Sequence, residues 1–166
     1  MKTLAVAFVV VASALAASPA AAAPKPPVPC GVSLVSFYYG GFSQNLSLAT
    51  FDITLLAHDG VTCTLTDTPL LTVSGPGSPT VPIHAGGRGG TFTLRPDNPV
   101  HAIVAYNTPD LPENAVTVSS MRLAMPDGSF RGTFFGVPGA FDIDKDGVTV
   151  TAWQTGIGLG DGEGTS

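Results

Sequence analysis

Three aspartates near the end of the chain have the spacing of a calcium-binding loop. Residues 142–147 read DIDKDG, so Asp142, Asp144 and Asp146 alternate with other residues before a glycine. Alternate carboxylates can converge on one ion, and glycine permits the sharp turn that such a loop requires. A calcium loop has a bidentate glutamate at its twelfth position, where this chain has Trp153. A tight turn between two strands fits the segment better, calcium is the alternative, and no resident cofactor is expected.

The histidines could supply a catalytic base. His58 is followed by Asp59, and a serine elsewhere could complete a set of nucleophile, base and orienting acid. No G-x-S-x-G elbow marks such a serine, and the only glutamates, Glu113 and Glu163, do not form the carboxylate pair of a glycosidase. We therefore expect a non-enzymatic protein, and a secreted hydrolase with a site near His58 and Asp59 is the alternative.

The densest run of aromatic residues, FYYGGF at 37–42, is a candidate contact surface. In a strand, Phe37 and Tyr39 share one face and Tyr38 lies on the other. At least one ring among Phe37, Tyr38, Tyr39 and Phe42 is therefore expected to face outward, where it could contact a protein or glycan partner. Packing of the rings in the core, with one tyrosine hydroxyl reaching solvent, is the simpler alternative.

The chain has two cysteines, Cys30 and Cys63. In an exported protein they predict a disulfide, because oxidising compartments favour that bond. The bond would close a loop of about 34 residues and stabilise the fold by about 3–4 kcal/mol in the chain-entropy model. Two reduced, buried thiols are the alternative. No pair of histidines or cysteines has the spacing of a metal site.

The first 23 residues have the features of a secretory signal peptide. A short positive start precedes an apolar run over residues 4–17, and small residues follow at 20–23. The run is shorter than the roughly 20 residues that span a bilayer, so it is not expected to be a transmembrane helix. Cleavage is expected after residue 22 or 23, among the small residues. The residues before Cys30 lack the small side chains that lipoprotein processing favours. We expect a secreted product, with association to the cell envelope left open and no transmembrane segment after cleavage.

The charge of the chain excludes several classes of partner. Seven basic and 12 acidic residues give a net charge of −5, and the basic residues are scattered. Nucleic-acid binding needs clustered lysines and arginines, so it is not expected. An anionic membrane surface is an equally poor partner. We expect a monomer whose partner is an unknown protein or glycan.

Short stretches of alternating apolar and polar residues, separated by glycine and proline, follow the leader. They predict about nine strands at 8–12-residue spacing, and at most a single helical turn in the loop at 107–114. The pattern is typical of an antiparallel sandwich or barrel, and we expect an immunoglobulin-like β-sandwich with one disulfide. Residues 24–29 form a Pro-rich linker, residues 30–154 the sandwich domain, and residues 155–166 a disordered Gly-rich tail.

A hairpin that carries the second cysteine is the clearest local prediction. Residues 51–55 alternate in polarity, as in a half-buried strand. Asp59 and Gly60 supply turn residues, and a second strand is expected from Thr62 through Cys63 to Leu65. The two strands are therefore expected to pair with each other.

The chain also resembles a family of secreted actinobacterial proteins and lipoproteins known as domain of unknown function 4232. That family has an early cysteine, a C-x-L-x-G-x-P motif, an L-x-P-G turn and a late strand that leads to a proline-glycine turn. The matching pieces here are Cys30, CTLTDTP at 63–69, LRPD at 94–97 and LAMPDG at 123–128. Asp67 and Asp97 stand where the family has glycine. The resemblance implies a β-sandwich with a disulfide between the matching cysteines, and it implies no activity.

Overall fold

A computed structural model of the chain describes residues 27–75, 80–132 and 141–158, with Phe141 described for its backbone alone. The signal peptide predicted at 1–23, the first residues of the Pro-rich linker and the end of the predicted tail lie outside the described residues. The described chain is all-β, as predicted, and its one helical element is a 3₁₀ turn at Pro112–Asn114, in the loop where a single turn was expected. The strands are β1 (Val28–Pro29), β2 (Val35–Asn45), β3 (Leu48–Ala57), β4 (Cys63–Thr66), β5 (Leu70–Ser74), β6 (Ile83–Ala85), β7 (Thr91–Leu94), β8 (Val100–Asn107), β9 (Ala115–Val118), β10 (Ser120–Ala124), β11 (Phe130–Gly132), β12 (Phe141–Asp144), β13 (Val148–Val150) and β14 (Gln154–Thr155).

The largest sheet is built on β8. Strands β2 and β3 form a long antiparallel hairpin, and β3 pairs with one edge of β8. Strands β13 and β14 share the other edge of β8, and β6 lies parallel to β13. Alternate residues of β8 are buried, because one face of the strand packs on the core and the other faces outward. The sheet therefore has an inner face and an outer face.

Smaller sheets cover the inner face. Their strand orders among the described residues are β1-β4-β7, β11-β10-β5 and β12-β9. Most pairs are antiparallel, but β1 with β4 and β13 with β6 are parallel, which the sequence had not predicted. Buried residues from all of these sheets belong to one hydrophobic cluster. Trp153 also lies in this cluster.

The hairpin predicted across Asp59 and Gly60 is wrong. The turn itself exists, since the Val61 amide donates to the His58 carbonyl at 3.0 Å and Gly60 has a φ of 74°. Strand β3 is already paired on both edges, with β2 and with β8, so it offers no edge to the strand that follows the turn. Strand β4 pairs instead with β1 and β7 in another sheet.

Two further turns connect strands of different sheets. The turn after Asp144 forms as predicted, with the Gly147 amide donating to the Asp144 carbonyl at 3.0 Å. Its flanking strands do not pair with each other, however, because β12 pairs with β9 and β13 pairs with β8 and β6. The chain also changes sheets at Ser119, between β9 and β10. Strand β9 ends there, and β10 joins β5 and β11.

The predicted disulfide is confirmed. The sulfurs of Cys30 and Cys63 are 2.03 Å apart and both residues are fully buried. The Cys30 amide donates to the Thr64 carbonyl at 2.9 Å, and the Asp127 amide donates to the Cys30 carbonyl at 3.2 Å. The bond therefore links neighbouring strands of the β1-β4-β7 sheet, and the turn at residues 126–129 supports it from outside that sheet.

Candidate functional site

Two of the three aspartates of the calcium hypothesis use their carboxylates in hydrogen bonds within the protein. Asp142 accepts a hydrogen bond from the Thr117 hydroxyl at 2.7 Å, and Asp144 accepts one from the Asp146 amide at 2.9 Å. The Asp144 bond is the usual way in which an aspartate closes a turn. Within the described ranges, no three acidic, histidine or cysteine side chains are grouped so that they could hold a metal ion. The segment is thus better described as a turn than as a calcium loop.

The histidines do not contact a nucleophile in the described part of the chain. His58 and Asp59 are exposed turn residues. The ring of His84 hydrogen-bonds the Asp146 carbonyl at 2.8 Å, and Nδ1 of His101 donates to the Gly156 carbonyl at 3.2 Å. Both rings thus bond backbone carbonyls, whereas a catalytic base needs contact with the proton that it removes.

The aromatic run divides between the two faces of β2, as alternation predicted. Phe37 and Tyr39 are partly buried against the core, and Tyr38 is 48% exposed on the outer face. Register places Tyr38 opposite Thr54 of β3, and Thr54 opposite His101 of β8. These three residues form a row across the outer face of the sheet. Phe42 is also exposed, but it lies farther along β2.

An apolar groove lies at the Tyr38 end of this row. It has a volume of about 260 Å³, and no charged side chain lines it. Tyr38 and Leu56 contribute from neighbouring strands, and Pro99 precedes β8. The residues that line the groove are Tyr38, Thr54, Leu56, Pro99 and Ile157.

The chain after β14 forms one wall of the groove. The Gly156 amide donates to the Pro99 carbonyl at 2.8 Å, and the Gly158 amide donates to the Thr54 hydroxyl at 3.2 Å. A side-chain carbon on Gly158 would lie 2.6 Å from atoms of His101, so only glycine permits this approach. The tail was predicted to start at residue 155, but the chain makes defined contacts as far as Gly158. The sequence reasoning therefore missed Ile157 as a groove residue.

Burial and a neighbouring positive charge shift the pKa of Tyr39 in opposite directions. Burial raises the pKa of Tyr39, and the Arg131 guanidinium acts against that shift more weakly. The same guanidinium lies 5.9 Å from the centre of the Phe37 ring, within range of a cation–π contact. Burial also raises the pKa of Tyr106. Phe37 and Tyr39 thus pack against the core, and Tyr38 and Phe42 are the members of the run that are exposed for an external contact.

The loop at 86–90 is fixed by Asp67. One carboxylate oxygen of Asp67 accepts the amides of Arg88 and Gly89 at 2.7 and 3.1 Å. The Asp67 carbonyl accepts the Trp153 amide at 3.0 Å, so the same residue holds two distant segments. Asp67 therefore has a structural role in this chain.

Comparisons with protein-family models, with curated proteins and with solved structures found no match. In the part of the chain that the structure describes, no helix has the length and apolar character needed to cross a membrane.

Proposed function

We propose that this chain is a secreted, non-enzymatic binding module, with an immunoglobulin-like β-sandwich related to the domain of unknown function 4232 family. Support for the sandwich comes from the single core cluster shared by the large sheet and the smaller sheets. The leader-like first 23 residues and the buried disulfide favour function outside the cytoplasm. The partner is a protein or glycan of the cell envelope or the surrounding medium.

The apolar groove beside Tyr38 carries this proposal. Its walls combine a tyrosine and three aliphatic or proline side chains with the Thr54 hydroxyl, and no charge must be desolvated when a ligand enters. Binding sites are commonly concave and mostly apolar, with few polar groups that fix orientation. A half-exposed tyrosine suits such a role, because its ring supplies contact area and its hydroxyl supplies a hydrogen bond. An extended peptide or a sugar ring that stacks on Tyr38 fits this chemistry.

The positions of the potential catalytic groups favour binding over hydrolysis. His58 and Asp59 do not line the groove, and no described hydroxyl hydrogen-bonds a histidine ring. His101 belongs to the same row as Tyr38 and Thr54 but does not line the groove, its Nδ1 donates to the Gly156 carbonyl, and Gly158 packs against its ring. A ligand in the groove would thus meet apolar side chains and no activated nucleophile.

A capture experiment tests this function. The purified protein, immobilised, is exposed to culture filtrate, envelope extract, peptidoglycan and a glycan array, in parallel with Tyr38→Ala and with Leu70→Ala. Leu70 is the matched control, since it is similarly exposed but lies on β5, away from the groove. We expect a ligand that Tyr38→Ala loses and Leu70→Ala keeps. Recovery of no ligand, or equal loss in both variants, would count against the proposal.

A further inference from the structure

The tip of the β2–β3 hairpin is an apolar projection that the groove does not explain. Every residue from 41 to 48 is exposed. Phe42, Leu46 and Leu48 are 58%, 93% and 46% exposed, respectively. Single exposed apolar residues are ordinary, but three large ones within seven residues concentrate exposed apolar side chains at this hairpin tip.

The backbone at Leu46 provides an independent reason to assign a role to the tip. Leu46 has a φ of 53°, and it is the one residue other than glycine with a positive φ in the described chain. Asn45 pairs with Leu48, so Leu46 and Ser47 form a two-residue loop in which glycine or asparagine is strongly preferred. Leucine there costs free energy through its backbone and gains no burial in return. Such an outlier points to a function of the side chain outside the folded monomer.

The hairpin is also free of charge at its tip and along β2. Residues 26–51 contain no aspartate, glutamate, lysine, arginine or histidine, although the chain carries a net charge of −5. The polar residues of the tip are Ser43, Gln44, Asn45 and Ser47, all neutral. An apolar phase could therefore receive the tip without desolvation of a charge, which is the most expensive contribution to insertion.

The base of the tip is braced against the body of the protein. The Ser47 carbonyl accepts the Thr108 amide at 2.7 Å and the Thr108 hydroxyl at 3.2 Å. Strand β3 also remains paired with β8 as far as Leu48, which lies opposite Asn107. The tip is thus held in place, so contact with an apolar phase would not require the ordering of a loose loop.

We propose that the tip inserts shallowly into a lipid surface with neutral, zwitterionic headgroups, with Leu46 as the deepest side chain. A stable protein interface buries roughly 800 Å² per partner and uses some 20–30 residues on each side, more than this eight-residue tip offers. A lipid interface needs only a few apolar side chains for weak, reversible attachment. The acidic net charge opposes attachment to anionic headgroups. This inference is independent of the ligand of the groove.

Vesicle flotation of the purified protein tests the proposal. The probe is large phosphatidylcholine vesicles at millimolar lipid, with phosphatidylglycerol vesicles as the second arm. We expect the wild type to float with phosphatidylcholine and to bind phosphatidylglycerol less. Leu46→Asn should lower the partition coefficient by about tenfold or more, because the insertion of one leucine is lost. Its melting temperature should stay the same or rise, because asparagine tolerates a positive φ better than leucine does.

Two control variants distinguish insertion of Leu46 from a general effect of exposed apolar side chains. Leu70→Asn removes a leucine of similar exposure to Leu48 from another sheet and should float like the wild type. Tyr38→Ala, which tests the groove, should also leave flotation unchanged, so the two proposals fail separately. Absence of flotation, or unchanged flotation of Leu46→Asn, would overturn the lipid proposal. A dimer in light scattering that Leu46→Asn dissolves would also overturn it, in favour of a second copy.

Discussion

Loss of the Cys30–Cys63 bond should destabilise the domain strongly without a change of fold class. The bond joins residues 33 positions apart, and both are fully buried. Closure of a loop of that length contributes about 3–4 kcal/mol through the entropy of the unfolded chain. Strand β1 has only two residues in its ladder, so besides the disulfide the chain at Cys30 is held mainly by the hydrogen bonds of its backbone to Thr64 and Asp127.

The size of the effect depends on how the bond is removed. Reduction leaves both sulfurs in the core, so the reduced protein should lose only the chain-entropy contribution. Replacement of both cysteines by alanine also leaves a small cavity, which should add about 1–2 kcal/mol. For a domain of this size, each kcal/mol lowers the melting temperature by about 3 °C, so reduction should lower it by about 10 °C.

Urea unfolding of the oxidised protein, the reduced protein and the double alanine variant measures these differences. A thiol count on denatured, unreduced protein confirms that the starting material contains the bond. An equal midpoint for oxidised and reduced protein would refute the reasoning, because it would show that the loop is already restrained in the unfolded state or that β1 does not contribute to the fold.

Three other substitutions test contacts elsewhere in the domain. Gly75→Ala should lower the free energy of unfolding by about 2–3 kcal/mol, since a side-chain carbon there would lie 1.8 Å from the Thr117 carbonyl oxygen. Asp67→Ala should lower the free energy of unfolding by about 1 kcal/mol. It should also speed amide hydrogen exchange in the loop at 86–90, because the Arg88 and Gly89 amides lose the carboxylate that accepts their hydrogen bonds. Burial raises the pKa of Tyr39 above the value of about 10 that tyrosine has in the unfolded chain. The stability that this difference contributes is present below about pH 10 and should fall as the pH rises above that value. Tyr39→Phe should make this fall shallower when the free energy of unfolding is measured by urea titration at each pH.

Each of these substitutions has a control in the same chain. Gly132→Ala should be nearly neutral, because, among the described residues, the nearest atom to its new side chain would be 3.9 Å away, in Arg122. Asp67→Asn keeps an acceptor oxygen and should retain most of the protection of the loop, whereas equal exchange in Asp67→Ala and the wild type would contradict the assigned role. Tyr38→Phe changes an exposed ring, and a pH profile altered as much as in Tyr39→Phe would mean that burial is not the cause.

Most of the longer strands could be predicted from the sequence, but the partners of the strands could not. Alternation gives the two faces of a strand from local information alone, which is why the separation of Tyr38 from Phe37 and Tyr39 across the faces of β2 could be predicted. The choice of partner depends on which edges remain free after the whole sheet has assembled. The turn at Asp59 and Gly60 has good hairpin chemistry, yet β3 has no free edge for β4. Turn residues therefore predicted the reversal of the chain and not the pairing across it.

The groove was only half predictable for a related reason. Tyr38 could be identified because its aromatic character and its position on the outer face are both local properties. Pro99 and Ile157 come from segments far along the chain and carry no signal for a site. They reach Tyr38 because β8 pairs with β3 and the chain after β14 crosses the outer face.

The end of the described chain shows why a composition argument can fail for glycine. Residues 155–166 were predicted to be disordered, because they contain too few apolar side chains to pack. The Gly156 amide donates to the Pro99 carbonyl and the Gly158 amide donates to the Thr54 hydroxyl, and at Gly158 this close approach is possible because the residue has no side chain. Glycine thus contributes to packing by letting the backbone itself lie against a sheet, a contribution that hydropathy does not measure. A Gly-rich segment next to a sheet with polar groups on its outer face should therefore be assessed by the hydrogen bonds that its backbone can form with those groups. Here these bonds hold Gly156 and Gly158 against the sheet, and Ile157, which lies between them, becomes part of the groove as a result.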